Sequence, residues 1–558
     1  MNNASVKAFA LILAGALLVL ALWPSFQSPA PPEDEGIALV YPEMFLKGHL
    51  PYRDFETIYG PGNLLVLSAS YSIFGINIFV ERAVGLIFRL LILLGIFCVA
   101  QRWGSIVAFG CVLLTIIMLG GTQLFANTWF TALAFALCGL CIAAKVNSLW
   151  RCFVAGILAA AAILSRSDLG PAVVLAFLPL FLLMEPKTRY AFLIGGVIGL
   201  LPLVWFAIAV GPRQLIYSLF LFPVFYLSSA AYFPISTAPP DLRYIFYLDL
   251  AAIFLSLCAG FLASRRQDRQ RSRREPSDMD GQAREGERDG SRAHQSGRLF
   301  FGATILGGAC VHYAVSRFDG SHVINAALIP IALLPLSIFV VSSAVIKSVG
   351  RAILAAAAII VAFVAVQLVL PVYTRYFFRG IRVSLHFENA RQVGNSGDAL
   401  EPGDKGIFVG DNGRSVPIGR PAVAQATQQM LTELEKVSAA GQSLLVGPGD
   451  LRRTVGADTF IYHLLPQLRP ATYYLEMNPG STNAPGSRLV DDVAKADWLV
   501  LDRSWDNINE PNRSAEFGSD VPNQVVRTKF DLWAEYGPYL ILRNHRLRNS
   551  VELPPSRQ

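Results

Sequence analysis

Charged side chains are scarce in this chain: Asp, Glu, Lys and Arg supply 16% of its 558 residues, against about 25% in a soluble globular protein. The shortage is concentrated in the first 372 residues, where one charge-free run lies between Lys7 and Glu33 and another between Arg102 and Lys145. A soluble enzyme, a disordered chain and a fibrous protein are excluded on that ground. Cysteine is absent from the last third. All seven cysteines stand at or before Cys310, so no disulfide framework holds residues 373–558 together. Cys138 and Cys141 form a CxxC, but inside an apolar run without further ligand types, which reads as ordinary helix rather than a metal or redox site. What is plentiful is apolar sequence, 53% of the chain. The composition is that of a polytopic membrane protein with a soluble appendage.

A helix needs about 20 apolar residues to cross a ~30 Å hydrocarbon core. The pattern predicts about eleven crossings: residues 8–26, 78–100, two between Arg102 and Lys145, then 149–166, 169–184, 190–210, 244–263, 299–316, 322–343 and 352–372. Pro61–Phe74 is apolar but short for a span. Pro61 at its start and Gly75 just past its end predict a short helix lying in the membrane interface. The net charge of +7 does not point to nucleic acid. Arg265, Arg266, Arg269, Arg271, Arg273 and Arg274 crowd one stretch between apolar helices, which is a topology signal. With that run on the cytoplasmic side, the N-terminus is cytoplasmic and the C-terminus extracytoplasmic.

Residues 1–372 are thus expected to form the membrane domain, with residues 27–77 as its first outer loop. Residues 264–298, almost without apolar side chains, are expected to be a disordered basic cytoplasmic loop. Residues 373–558 change character. Short apolar runs at Gly406–Val409, Ser443–Val446, Trp498–Leu501 and Tyr539–Leu542 alternate with helical patterns at Ala422–Ala440 and Leu489–Ala496, predicting an extracytoplasmic α/β domain.

Three polar clusters interrupt the apolar pattern. In the first loop Glu33, Asp34 and Glu35 are consecutive, and Ile37, Tyr41, Met44 and Phe45 follow at helical spacing, with Pro42 predicting a kink or two short helices. The plain alternative is that these acids only cap a helix in solvent. The second cluster is Arg166 and Asp168, at the tip between two expected spans; here the plain alternative is an ion pair closing the hairpin. The third holds His312, Arg317, Asp319 and His322. Arg317 offers a planar fork that suits phosphate, while the competing role is a turn-forming pair with Asp319. Arg82 and Arg89 lie seven apart on one helix face; Arg82 can snorkel outward, whereas Arg89 needs a buried partner or an anionic ligand. All three clusters face outward in this topology. Carboxylates beside arginines there suit a reaction in which a carboxylate deprotonates an acceptor hydroxyl and cations stabilise a departing lipid phosphate. Nucleotide sugars are absent outside the cytoplasm, so an activated sugar would arrive on a lipid carrier.

The acidic pair after the first span, the stretch Gly48 to Phe55 ending in Pro51-Tyr52-Arg53-Asp54-Phe55, and the later Gly60, Pro61, Gly75 and Arg82 resemble the GT-C superfamily of polyprenyl-phosphate-sugar glycosyltransferases. The resemblance extends to the family 39 protein mannosyltransferases, the aminoarabinose lipid A transferases and the rhizobial core-sugar transferases. It implies an α-helical GT-C-like membrane domain and an inverting transfer. The donor would be a polyprenyl-phosphate-linked sugar, and the acceptor a cell-envelope glycan, lipid or protein. It maps the base onto Asp34, with Glu33 and Glu35 as neighbouring candidates for the same role. On this reading Glu35 and Asp54 assist the base or bind acceptor, and Arg82, Arg166, Arg317 and His322 contact the donor phosphate. A divalent metal is compatible, with no assignable ligands. The rival functions are a transporter or flippase of lipid-linked sugars, an O-antigen-type polymerase or ligase, and a non-enzymatic assembly component.

Overall fold

The computed structural model describes residues 3–29, 31–272, 282–392, 401, 403–411, 413–510 and 516–547. Among the described residues, seven helical stretches are long and apolar enough to cross a membrane: Lys7–Phe26, Ile78–Trp103, Pro186–Val210, Pro240–Arg265, Gln295–Ser316, Gly320–Val345 and Arg351–Val369. Four shorter apolar helices, Ser105–Gly120, Thr128–Ala143, Leu149–Ser165 and Ser167–Phe181, occupy the remaining expected crossings. The chain is a multi-pass membrane protein. Helices approach closely where side chains vanish. A Cβ on Gly156 would lie 2.0 Å from the Phe192 carbonyl, and one on Gly195 the same distance from that of Phe153. Small residues bring backbones together in this way in membrane bundles.

The basic segment departs from expectation. Helix Pro240–Ser272 runs past residue 264, and helix Gln282–Ala309 begins well before residue 298. Arg, Gln, Glu and Ala are good helix formers, so each flanking helix extends into the polar sequence; residues 273–281 lie outside the described residues.

We label the helices around the first loop α1 (Asn3–Leu22), α2 (Asp34–Leu46), α3 (Pro61–Phe74) and α4 (Ile78–Ala100). Helix α3 has the expected bounds: Gly60 precedes Pro61 at its first position, and Gly75 at φ 85° ends it. Helix α2 is one continuous helix through Pro42, not two. Proline has no N–H to give the carbonyl four residues back. That carbonyl, of Ala38, instead accepts the Tyr71 hydroxyl from α3 at 3.0 Å, so the defect costs little.

The C-terminal region carries two sheets. Strands β1 (Ile407–Asp411) and β2 (Arg414–Ile418) form an antiparallel ribbon. The strands β3 (Ser443–Pro448), β4 (Arg469–Pro470), β5 (Trp498–Asp502), β6 (Phe530–Tyr536) and β7 (Tyr539–Asn544) assemble in the order β4-β3-β5-β7-β6. The β3–β4 and β3–β5 pairs are parallel; β5–β7 and β6–β7 are antiparallel. Every residue of β5 is buried, as a central strand covered on both faces requires.

This region packs directly on α2. Gly36 meets Thr459 and Phe460: an added Cβ would stand 2.6 Å from the Phe460 nitrogen. Farther along, Glu43 receives Arg414 at 2.7 Å and Lys47 at 2.8 Å, with His463 at 3.4 Å. Burial disfavours the Glu43 carboxylate, but the bonds from His463, Arg414 and Lys47 outweigh it and lower its pKa to about 2.

Gly36→Ala should therefore push the C-terminal region off α2, at a cost of about 1–3 kcal/mol, read as faster proteolysis of that region in the detergent-solubilised full chain. Acid should act at the other contact. A carboxylate depressed from 4.5 to about 2 adds stability that is fully present above 4.5 and is lost as pH falls through about 2. Proteolytic protection should fall across that window, and Glu43→Gln should flatten the response.

Candidate active site

Asp34 opens α2, and Glu33 stands at the N-cap without a side-chain capping bond. The solvated-cap role for Asp34 is thus not what the helix uses. Its side chain stays open to solvent while protein surrounds it, the situation of a group at the foot of a cleft. Asp34, Ala38 and Tyr41 on α2 line one wall of that cavity; Tyr59 and Asn63 line the other. The surrounding protein raises the Asp34 pKa, and His322 and Arg317 pull it back down. The first and third clusters therefore meet.

The second cluster joins them. Arg166 forms a bidentate pair with Asp168, at 2.9 and 2.6 Å, and His312 reaches the same carboxylate at 3.2 Å. The Arg166 guanidinium lies over the rings of Tyr313, Trp129 and Tyr59 at 4.9, 5.3 and 5.7 Å. Tyr313 in turn stacks on Trp129, with centroids 4.0 Å apart, and its ring centroid is 4.2 Å from that of His322. Cation–π contacts of this kind hold a guanidinium in place while leaving its edge able to bond. Arg317 pairs with Asp319 at 2.8 Å and with Glu510 of the C-terminal region at 2.7 Å. Asp319 also caps the next helix, accepting from the His322 backbone N–H at 3.0 Å. Both ion pairs anticipated as structural alternatives are formed.

Other expected residues lie apart. Glu35 does not face the cleft. It is buried against α4, where Arg82 grips it through Nε–Oε1 at 2.6 Å and Nη2–Oε2 at 2.7 Å, and Arg82 Nη1 donates to the Ser25 carbonyl at 2.8 Å. With Arg82 only 2% exposed, a lipid phosphate has no approach to it; the expected snorkelling gives way to a complete internal pair. Asp54 sits in a surface turn, accepting from the Leu50 N–H at 2.7 Å and from Arg53. Arg89 needs no anion: Thr122 and the carbonyls of Gly85, Gln123, Leu124 and Phe125 accept its N–H groups.

Residues that the sequence did not mark complete the cleft. The Tyr41 hydroxyl donates to Glu476 at 2.5 Å. Asn478 Nδ2 reaches both Glu476 and Glu56, at 3.3 and 3.4 Å. Burial pushes Glu476 up to about 7 and Glu56 up to about 8. Among the described residues no group of three or more His, Cys, Asp or Glu side chains is placed to hold a metal ion.

No family model matches the chain, and no curated protein matches it by sequence. Solved structures do. ArnT from Cupriavidus metallidurans bound to undecaprenyl phosphate aligns over 97% of this chain and 98% of its own, with a TM-score of 0.51 and 17% identity. The two chains share one fold over nearly their whole length. The apo form of the same protein aligns over 96% and 98%, with a TM-score of 0.49 and 16% identity.

Within this fold, the side chains divide by environment. Asp34 lines the open cleft, with His322 and Arg317 close enough to act on its charge, whereas Glu35 and Arg82 form a dry pair fastening α2 to α4. Removing one member of such a pair leaves an uncompensated buried charge, which costs about 3–5 kcal/mol, whereas replacing both by apolar residues can be neutral. Arg82→Met should thus lower the thermal unfolding temperature in detergent sharply, and Glu35→Leu combined with Arg82→Met should recover most of the loss.

Proposed function

We propose that the chain is a membrane glycosyltransferase that takes a sugar from a polyprenyl-phosphate donor and transfers it to a cell-envelope acceptor, a glycan, lipid or protein, on the outer face of the membrane. One observation carries this reading: an accessible carboxylate, Asp34, lines a cleft within electrostatic reach of Arg317 and His322. The GT-C fold, shared with a protein crystallised with undecaprenyl phosphate, supports the choice of donor. In this proposal residues 1–372 form the catalytic membrane domain and residues 373–558 an extracytoplasmic domain, with the N-terminus cytoplasmic.

Asp34 accepts the proton of the acceptor hydroxyl as that oxygen attacks the anomeric carbon. The bond from that carbon to the phosphate oxygen breaks, its electron pair stays on the phosphate, and the configuration inverts. Negative charge grows on the phosphate as the sugar leaves, so guanidinium groups stabilise the transition state more than the ground state. Arg317 and Arg166 serve here. Arg166 gives Nε and Nη2 to Asp168, and Arg317 gives Nε to Asp319 and Nη2 to Glu510, which keeps each fork oriented, and His322 adds a further donor. Glu35, Arg82 and Asp54 have no part in this chemistry.

Asp34→Asn is expected to reduce transfer by about 10²–10⁴, the usual range for a lost general base, with protein level and membrane insertion unchanged. Mass spectrometry of envelope glycans and lipids, comparing a deletion strain carrying this variant with one carrying the wild type, checks it. A helix cap would tolerate the exchange, because Asn caps as well as Asp.

A further inference from the structure

Asp34 shares its cavity with Tyr59 of the first loop and with Asn127 and Thr128, at the turn that opens the helix Thr128–Ala143. That turn is fixed by its own bonds. The Ala126 carbonyl accepts Asn63 Nδ2 at 2.9 Å, the Ala126 N–H donates to Glu81 at 2.5 Å, and Asn127 Oδ1 caps the helix by accepting the Trp129 N–H at 2.8 Å. The cap uses the oxygen of Asn127 and leaves its amide N–H groups without an acceptor among the described residues; the hydroxyls of Thr128 and Tyr59 are likewise uncommitted. All three side chains are partly exposed. The cavity also adjoins the cradle of Arg166. Tyr59, which lines it, lies 5.7 Å from that guanidinium, and Trp129, the residue after Thr128, lies 5.3 Å from it. Arg166, Arg317 and His322 themselves are not in the lining.

We propose that this cavity is the acceptor subsite, that its occupant is a neutral sugar residue of a glycan, and that Asn127 Nδ2 and the Thr128 hydroxyl bind hydroxyl groups of that sugar. The proposal rests on Asp34 being the base, and it names which of the three acceptor classes the site takes. In an inverting transfer the attacking oxygen and the leaving oxygen stand on opposite faces of the anomeric carbon. The base belongs with the attacking oxygen and the guanidinium groups with the leaving phosphate. A cavity lined by Asp34 and by none of the arginines therefore lies on the acceptor's side.

The lining selects the occupant. It contains no Lys, Arg or His, so it offers no countercharge to an acidic acceptor. Tyr59, Phe125 and Leu64 supply apolar walls, and the few polar groups among them can fix an orientation, as in small-molecule sites generally. An acyl chain would strip water from Asn127 and Thr128 and return no hydrogen bond, which costs binding. A serine or threonine side chain has one hydroxyl, and Asp34 takes it. A sugar has several: one for Asp34 and others for Asn127 and Thr128, with its C–H faces against the walls.

Two variants remove one polar group each and spare the fold. Asn127→Ser keeps a capping oxygen without the amide, and Thr128→Val keeps the shape without the hydroxyl. Thermal unfolding of the full-length protein in detergent, with and without undecaprenyl phosphate, reads the donor side, because a ligand of the native state raises the unfolding temperature. Mass spectrometry with linkage analysis in the complemented deletion strain reads transfer. Each variant is expected to lower product about two- to tenfold, the worth of one hydrogen bond, and the double variant by more than either alone. The shift given by undecaprenyl phosphate should stay as in the wild type, whereas Arg317→Ala should shrink it. The transferred sugar should be found on a hydroxyl of another sugar. A smaller shift in the double variant assigns the cavity to the donor and overturns the proposal. Normal product from the double variant also overturns it, as does a product linked to a protein side chain or to a lipid without a sugar between. If Asp34→Asn still makes product, the glycosyltransferase reading falls with its base. If Asp34→Asn abolishes product but the double variant transfers normally, only the assignment of the cavity falls.

Discussion

The arrangement depends on how α2 is gripped from both sides. On the membrane side, Glu35 and Arg82 neutralise each other in surroundings where neither charge is tolerable alone. On the other side, Glu43 collects Arg414, Lys47 and His463. A helix of 13 residues is marginal in isolation; this one is held by ion pairs near its two ends and by α3, whose Tyr71 repairs the gap left by Pro42. Asp34, at the free end between these anchors, inherits a fixed position without spending its own carboxylate on a structural bond.

The membrane class and the crossings were legible because hydrophobic length is a local property: Arg102 to Lys145 contains no charge and must be buried in lipid or protein. Helix α3 was legible for a similar reason, since Pro61 and Gly75 mark its ends. The polar clusters were visible as interruptions, but their partners were not. Arg82 and Glu35 are 47 residues apart, and nothing in either neighbourhood names the other. The family resemblance suggested that Glu35 could flank the base; tertiary packing turns it away into the bundle. The weak edge strands β4 and β6 and the hairpin strand β2 escaped because they lack a continuous apolar run.

The cleft is built from groups that satisfy one another before any ligand arrives. Arg166 rests on three aromatic rings and holds Asp168; Arg317 bridges Asp319 and Glu510. The orientation of both guanidinium groups is settled by these contacts. Such preorganisation keeps the reorganisation cost out of the reaction step. The C-terminal region thus meets the membrane domain's polar clusters at two points, Glu510 on Arg317 and Glu476 on Tyr41.

The bond between Tyr41 and Glu476 spans 435 residues of chain. At a synthesis rate of about 5–20 residues per second, roughly 20 to 90 seconds pass between the emergence of one and of the other. Throughout that interval α2 is already at the membrane, with Asp34 facing water rather than a finished cleft. The contacts that the C-terminal region makes with α2 can form only once the last third of the polypeptide has been made.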